Sequence, residues 1–329
     1  MLATYTRCAR EMIVHERPPE GELPALPIWI DLLQPTLQEE RLVEQLIGVE
    51  LPSREEMQEI EASSRVYEEN EALFLTATLV FHADEPPPGT TEVTFVLKGD
   101  RLVTLRYEDP QPFRTIRSRL ERAGAGLASA QAVFFWLVEQ VVARLADILE
   151  KTDLDVDNLS TEIFGAASKK KAESGERIDL VRTVDRIGRS GDTAAKLRES
   201  ILTLQRVLLA VGTSQLVLGG NRKETRARAK ALVRDVQSLS DHTTFLSQKT
   251  TFLLEATLGL INIEQTNIIK IFSVVAVVFL PPTLIASIYG MNFEFMPELS
   301  WPWGYPFALF LMVLSAVLPY LMFKWKGWL

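Results

Sequence analysis

The stretch that decides the fold is IFSVVAVVFLPPTLIASI, residues 271–288, which contains no charged side chain. Its 18 residues are about the length that an α-helix needs to cross the hydrocarbon core of a bilayer. A second uncharged run of the same length, PFALFLMVLSAVLPYLMF, covers residues 306–323. The chain before these runs is polar, so the sequence predicts a soluble part followed by a two-helix transmembrane hairpin.

Charges that flank the two runs predict the orientation of this hairpin. Lys270 precedes the first run, Lys324 and Lys326 follow the second, and residues 289–305 between them contain no lysine or arginine. Basic residues stay on the cytoplasmic side of a membrane, so we expect both termini in the cytoplasm and the connection outside. The first residues lack the apolar core of a cleaved signal peptide. We therefore expect a cytosolic soluble part and a hairpin in a bacterial inner membrane.

The soluble part begins with an α/β pattern. Thr36 with Glu39, and Ser53 with Glu56, form two S/T-x-x-E capping boxes, each of which predicts the start of a helix. Gly99-Asp100 separates two β-rich segments and is typical of a hairpin turn. The predicted strands are residues 27–32, 73–81, 93–97 and 102–107.

From Ser129 onward the apolar residues recur every three or four positions, which predicts helices only. Polar breaks at 165–176 and 212–222 separate these helices. The last one begins near Glu224 and has no stop signal before the first apolar run, so one helix should link the cytosol and the membrane. The predicted fold class is α+β: a cytosolic α/β domain followed by long stalk helices and a two-helix transmembrane hairpin. The predicted division is 1–125 (α/β domain), 126–222 (antiparallel helices), 223–290 (stalk continuing into the first transmembrane helix), 291–305 (external loop), 306–323 (second transmembrane helix) and 324–329 (basic tail).

A stripe of small and polar residues, spaced alternately four and three positions apart, follows one side of the first transmembrane helix. Its members are Asn262, Thr266, Ile269, Ser273, Ala276, Leu280, Thr283 and Ser287. Two spans enclose no interior, so a water-filled path through them would require several copies of the chain around an axis. The stripe could line such a path, or its small residues could let helices pack closely. The sequence leaves these two interpretations open.

Composition excludes other classes of protein. The net charge of -8 argues against a nucleic-acid binder, and the single cysteine, Cys8, cannot form an internal disulfide. We find no nucleophile-base arrangement or phosphate loop, so we expect neither an enzyme nor a bound cofactor. Asp153, Asp155 and Asp157 lack the glycine and the glutamate of a calcium loop, and we interpret them as a helical acidic face.

The residues that follow the first run, Tyr289-Gly290-Met291-Asn292-Phe293-Glu294, and the segment Phe279-Leu-Pro-Pro-Thr283 within it, resemble the CorA family of magnesium channels. The similarity continues through Gly304-Tyr305-Pro306 and the closing Phe323-Lys-Trp-Lys-Gly-Trp-Leu329, and backward through Ile261-Asn-Ile-Glu-Gln265.

This resemblance implies a homopentamer whose first transmembrane helix lines the pore. It also implies that Gly290, Met291 and Asn292 form a selectivity loop for hydrated Mg²⁺, with Co²⁺ and Ni²⁺ as further candidates. Ile269 and Leu280 would be apolar constrictions. Just beyond the loop, Glu294 and Glu298 could concentrate cations or simply be solvated. Inhibition by internal Mg²⁺ would use acidic residues between subunits, for which Asp235 and Asp241 are both candidates.

Two alternatives remain at this point. The related zinc-transporting ZntB branch shares the architecture but usually varies the middle residue of Gly-x-Asn, so Met291 favours magnesium. A membrane-tethered cytosolic sensor would need the hairpin only as an anchor, which the polar stripe argues against.

Overall fold

The computed structural model describes residues 1–8, 11–16, 27–83, 88–122, 129–166, 179–216, 222–292, 296–297 and 301–327. They form two compact units, Met1–Leu254 and Glu255–Leu329. The first unit contains a β-sheet with helices on both faces, and the second contains two long apolar helical segments. The predicted fold class is confirmed, whereas the finer six-part division of the chain stays a prediction.

Seven strands of the described residues form one mixed sheet in the order β2-β1-β3-β7-β6-β5-β4. Neighbouring strands are antiparallel except for β3 and β7, which run parallel. In chain order the strands are β1 (Leu2–Cys8), β2 (Glu11–Glu16), β3 (Pro27–Leu33), β4 (Val66–Glu69), β5 (Ala72–Phe81), β6 (Gly89–Lys98) and β7 (Arg101–Arg106).

All four predicted strands are confirmed, as is the turn at Gly99, whose φ of 55° lies in the left-handed region. The sequence patterns did not predict β1, β2 or β4. These three strands lie at or next to the edges of the sheet, where pairing with a neighbour supplies much of the order that a strand needs.

The helices of the described residues account for the rest of the regular structure. In chain order they are α1 (Leu37–Ile47), α2 (Arg54–Met57), α3 (Ala62–Arg65), α4 (Gln111–Arg122), α5 (Ala130–Ala166), α6 (Leu180–Thr213), α7 (Arg222–Tyr289) and α8 (Gly304–Trp325). Both capping boxes are confirmed: the hydroxyls of Thr36 and Ser53 accept from the backbone N–H groups of Glu39 and Glu56, whose carboxylates accept in return. The Ser53 box opens only the single turn of α2, and α3 forms a second short turn.

Packing on both faces of the sheet explains the continuous apolar run of β5. On one face, Phe74 belongs to a buried cluster that includes Val43 and Ile47 of α1. On the other, Phe95 of β6 lies 5.5 Å from the ring of Phe134 in α5. The backbone N–H of Thr78 in β5 also donates to the Thr203 hydroxyl of α6, at 3.0 Å.

A buried ion pair joins the two parallel strands. Arg106 of β7 donates from Nε and Nη2 to the two carboxylate oxygens of Asp31 in β3, at 3.0 and 2.8 Å, and both side chains are almost fully buried. The Thr104 hydroxyl donates to the same carboxylate at 2.7 Å, and Arg117 of α4 approaches it at 3.2 Å. Burial alone would raise the pKa of Asp31, but the charge and hydrogen bonds of Arg106 outweigh it and hold that pKa below its usual value.

Helix α7 is tied to α5 by charged side chains. Arg228 forms a two-bond ion pair with Glu139, at 2.8 and 3.0 Å. Lys249 contacts Asp157 at 2.5 Å and Asp153 at 3.4 Å. The predicted helical acidic face of α5 is therefore confirmed, and part of it anchors the stalk.

A seam of buried residues repeats along the same helix with a period of seven. It consists of Ala229, Leu232, Val236, Thr243, Leu246, Thr250, Leu253 and Thr257, all of which are buried. The stalk helix thus presents one constant face to its own chain.

We expect Asp31→Asn to destabilise the first unit by about 3–5 kcal/mol, because it leaves Arg106 buried without its buried carboxylate partner. Since folding lowers the pKa of Asp31, its stabilising effect should be complete above the ordinary carboxyl pKa of about 4 and should fade as the pH falls through the folded value. Urea unfolding of the full chain in detergent, followed by hydrogen exchange of the sheet backbone, measures both effects.

Asp109→Asn is the matched control, since it removes the second and more exposed carboxylate partner of Arg106. We expect a clearly smaller loss of stability from it. Equal losses from the two variants would contradict the special role of the buried pair.

Candidate functional site

The polar stripe lies on one uninterrupted helix. Helix α7 runs from Arg222 to Tyr289 and includes Pro281 and Pro282 without a break. All eight stripe residues are exposed, and the two apolar ones, Ile269 and Leu280, are 65% and 67% exposed. None of the described residues of the second unit covers this face.

The opposite face of the same segment is the covered one. Val274 is buried, at 5% exposure, and the residues four positions to either side of it, Lys270 and Val278, are half-buried, as are Ile285 and Tyr289. The other described helix of this unit is α8, of which Ala308 and Phe323 are also buried. At 3.6 residues per turn, the stripe points away from the covered face of α7. Among the described residues, the polar side of α7 is therefore the uncovered one.

Hydroxyl groups of the stripe are oriented by the helix backbone. Three of them donate their hydrogens to the carbonyl four residues earlier, at 2.8 Å: Thr266 to Asn262, Ser273 to Ile269, and Thr283 to Phe279. With the hydrogen engaged in this way, the oxygen lone pairs are left to accept from outside. Such a surface accepts hydrogen bonds from water rather than donating them.

The Gly290-Met291-Asn292 tripeptide directly follows the end of α7. The backbone N–H of Gly290 still donates to the carbonyl of Ala286, at 2.9 Å, and that of Met291 to Ile288, at 3.3 Å. Gly290 does not adopt a left-handed conformation, but a Cβ on it would lie 3.1 Å from the Ala286 carbonyl oxygen. Met291 and Asn292 are both exposed. Asn292 thus lies about one helical turn after Ser287, the last residue of the stripe. Glu294 and Glu298 lie outside the described residues.

Two proline residues alter the backbone in the middle of the first apolar run. Because Pro281 and Pro282 have no N–H, the carbonyls of Val277 and Val278 lack the donor that a regular helix supplies. Such positions are tolerated in membrane helices where neighbours or water satisfy the freed carbonyls. The helix nevertheless continues to Tyr289.

The structure does not bring Asp235 and Asp241 together. They lie six positions apart on α7, which places them on different sides of the helix. Asp241 accepts from Gln237 at 2.9 Å, and Gln237 in turn accepts from Gln205 of α6 at 3.0 Å. Across the parts of the chain that the structure describes, no group of three or more His, Cys, Asp or Glu residues could hold a metal ion. Among the described residues, Asp235 and Asp241 therefore do not form a metal site by themselves.

Sequence patterns missed two features of this region. The first is that the stripe and the covered face of α7 lie on different sides of the helix, which only burial shows and spacing alone does not. The glutamine chain from α6 to Asp241 joins residues that are 32 positions apart, and no local motif marks it.

Two helices of the described residues, Lys223–Tyr289 and Gly304–Trp325, are long and apolar enough to cross a membrane. Almost none of the residues in their most apolar segments are buried. A core helix of a soluble protein would be mostly covered, so the exposure supports a lipid or oligomer environment for both.

Comparisons with known proteins agree with this architecture. Residues 25–325 match the family described as CorA-like Mg²⁺ transporter protein. The magnesium transport protein CorA of Escherichia coli K12 is 38% identical over 302 residues, which cover 92% of each chain. Among solved structures, the complete CorA magnesium transporter of Methanocaldococcus jannaschii has a TM-score of 0.74 at 18% identity and covers 100% of this chain and 99% of that one. The ZntB cytoplasmic domain of Vibrio parahaemolyticus has a TM-score of 0.57 at 9% identity and covers 79% and 97%, which indicates a shared fold only.

The opposition of the two faces predicts which side of α7 meets water. In a Cys8→Ser background reconstituted in membranes, we expect Thr283→Cys to react readily with a small water-soluble thiol reagent. Val278→Cys, on the covered face of the same helix, should be protected. Mass spectrometry of the labelled chains measures both rates, and equal protection of the two cysteines would refute an aqueous stripe.

Proposed function

The chain belongs to the CorA-like family of Mg²⁺ transporter proteins, and on that premise we propose that it forms a homo-oligomeric membrane channel for the entry of hydrated Mg²⁺ into the cytoplasm. Membership in a family of transporters agrees with the expectation that the chain is not an enzyme. The observation that carries the proposal is the uncovered stripe of α7, which lies on the side of the helix away from its covered face and presents hydroxyl oxygens as acceptors.

An assembly is needed because a single hairpin encloses no path. Copies arranged around an axis, with their stripes inward, would convert eight exposed positions into eight rings. Their apolar covered faces and α8 would then lie outside the path, toward lipid. The family resemblance implies five copies.

The chemistry of the stripe suits an ion that keeps its water shell. Mg²⁺ dehydrates reluctantly and holds its waters in octahedral geometry. Bound waters point their hydrogens outward, where the acceptor oxygens of Thr266, Ser273 and Thr283 can receive them. Neither apolar run contains a carboxylate, which would bind a bare dication tightly and be costly within the bilayer.

At the outer end we propose that a ring of Asn292 amide oxygens, with the backbone of Gly290 and Met291, selects the hydrated ion. Ile269 and Leu280 would form apolar necks that close by losing water. The membrane potential alone can drive entry, since it contributes about 4.6 kcal/mol per divalent ion per 100 mV. No nucleotide chemistry is required.

For orientation, we propose that both termini are cytoplasmic and that residues 291–305 face the exterior of the inner membrane. Lys270, Lys324 and Lys326 on one side, and the lack of basic residues in the connection, support this. Applied to intact cells, an impermeant thiol reagent should label Met296→Cys. Labelling only after lysis would show that residues 291–305 face the cytoplasm and would contradict the proposed orientation.

The ion preference has a second candidate. Co²⁺, Ni²⁺ and Zn²⁺ share the charge of Mg²⁺, and the ZntB likeness extends to the fold of the soluble unit. Met291 in the Gly-x-Asn position favours Mg²⁺. Competition between these ions in liposome flux decides the ranking, and zinc-selective flux would replace magnesium as the substrate.

We expect Asn292→Ala to abolish Mg²⁺ influx into proteoliposomes while the oligomer still assembles, because the amide ring is lost but no buried contact is. Asn267→Ala is the matched control: it also removes an exposed amide from α7, but one off the stripe, and should conduct normally. Selective flux that persists in Asn292→Ala would remove Asn292 from the selectivity loop.

Regulation by internal Mg²⁺ is proposed to use Asp235 and Asp241 at contacts between copies. Carboxylates that share an interface repel each other until a cation binds between them. Replacing both by Asn should therefore blunt the inhibition of influx by internal Mg²⁺, whereas Asp185→Asn on α6 should not. Unchanged inhibition in the double variant would exclude both residues from the regulatory site.

A further inference from the structure

The uncovered face of α7 does not stop at Asn262. Stepping back from Asn262 by the same alternation of three and four positions reaches Gly259, Glu255, Phe252, Gln248 and Phe245, and each of these residues is exposed. They lie on the side of the helix away from the buried seam. The face that carries the stripe thus extends into the part of α7 that precedes the apolar run.

Phe245 and Phe252 are the two aromatic residues on this whole face, and they are one heptad apart. Their side chains are 56% and 57% exposed. Leaving a phenylalanine in water rather than burying it forgoes about 1.5–3 kcal/mol. The two residues are therefore out of place on a solvated surface.

Neighbouring groups hold both rings in position without covering them. The ring of Phe252 stacks on Phe164 of α5, with centroids 5.9 Å apart and planes at 24°. The ring of Phe245 lies 5.8 Å from the Lys249 ammonium and 6.3 Å from the His242 ring. Lys249 is itself fixed by Asp153 and Asp157, which raise its pKa against the opposing effect of burial. Both phenylalanines are thus anchored at one side and open at the other.

We propose that Phe245 and Phe252 form two aromatic constrictions in the cytosolic part of the ion path. This inference rests on the proposed function, in which copies of α7 turn this face toward a common axis. Each phenylalanine then repeats around the axis, and a ring of large apolar side chains can shed its water and stop a hydrated ion. These two constrictions would be additional to the necks at Ile269 and Leu280. They would lie outside the membrane, in the part of α7 that precedes the apolar run.

The test is resting Mg²⁺ influx into proteoliposomes loaded with inhibitory Mg²⁺, measured in an Ile269→Ala/Leu280→Ala background that removes the two necks. Because constrictions in series can each stop the ion, loss of both rings in Phe245→Ala/Phe252→Ala should raise resting influx of this background by about tenfold, which corresponds to about 1.4 kcal/mol of barrier. Phe164→Ala in the same background is the matched control, since it removes the stacking partner of Phe252 but no ring from the path. It should leave influx close to that of the background.

The outcomes separate the two proposals. If the unmodified chain conducts and Phe245→Ala/Phe252→Ala behaves like Phe164→Ala in the same background, then the two rings only pack against their neighbours and the aromatic constrictions are overturned. If the unmodified chain does not conduct at all, the channel function fails first. Phe252→Leu and Phe245→Leu, which keep apolar bulk, guard against misfolding of the alanine variants: they should keep resting influx low, and high influx through them would also overturn the inference.

Discussion

The period of a single helix constrains the whole molecule. Helix α7 keeps one face against its own chain and leaves another uncovered. It does so both in its polar segment and in the apolar segment that follows. A seven-residue repeat keeps each face in place over such a length. The buried seam of leucine and threonine, the ion pairs to α5 and the uncovered stripe are all consequences of that repeat.

Much of this could be predicted from the sequence, because the strongest signals are local. Uncharged runs, capping boxes at Thr36 and Ser53, and the Gly99 turn each depend on a few adjacent residues, and all are confirmed. Strands β1, β2 and β4 depend on partners elsewhere in the chain. The spacing of the stripe showed that its members share a face, but only burial shows that another face of the helix is covered.

The polar groups of the buried core and those of the stripe obtain their hydrogen-bond partners in different ways. Asp31 and Arg106 are removed from water, so they need full pairing by fixed hydrogen bonds. The hydroxyls of Thr266, Ser273 and Thr283 use the backbone to engage their hydrogens and leave their oxygens unpaired toward the outside. In the proposed assembly, the water shell of the Mg²⁺ ion donates hydrogen bonds to these hydroxyl oxygens. No charged side chain is then needed on the stripe.

Pro281 and Pro282 have a mechanical consequence. Two successive backbone hydrogen bonds are absent from the ladder at that depth, and such positions are where helices bend most easily. Any bending of α7 would therefore be concentrated at Pro281 and Pro282, between the stripe residues Leu280 and Thr283. The straight segments on either side would keep their own faces while the angle between them changes.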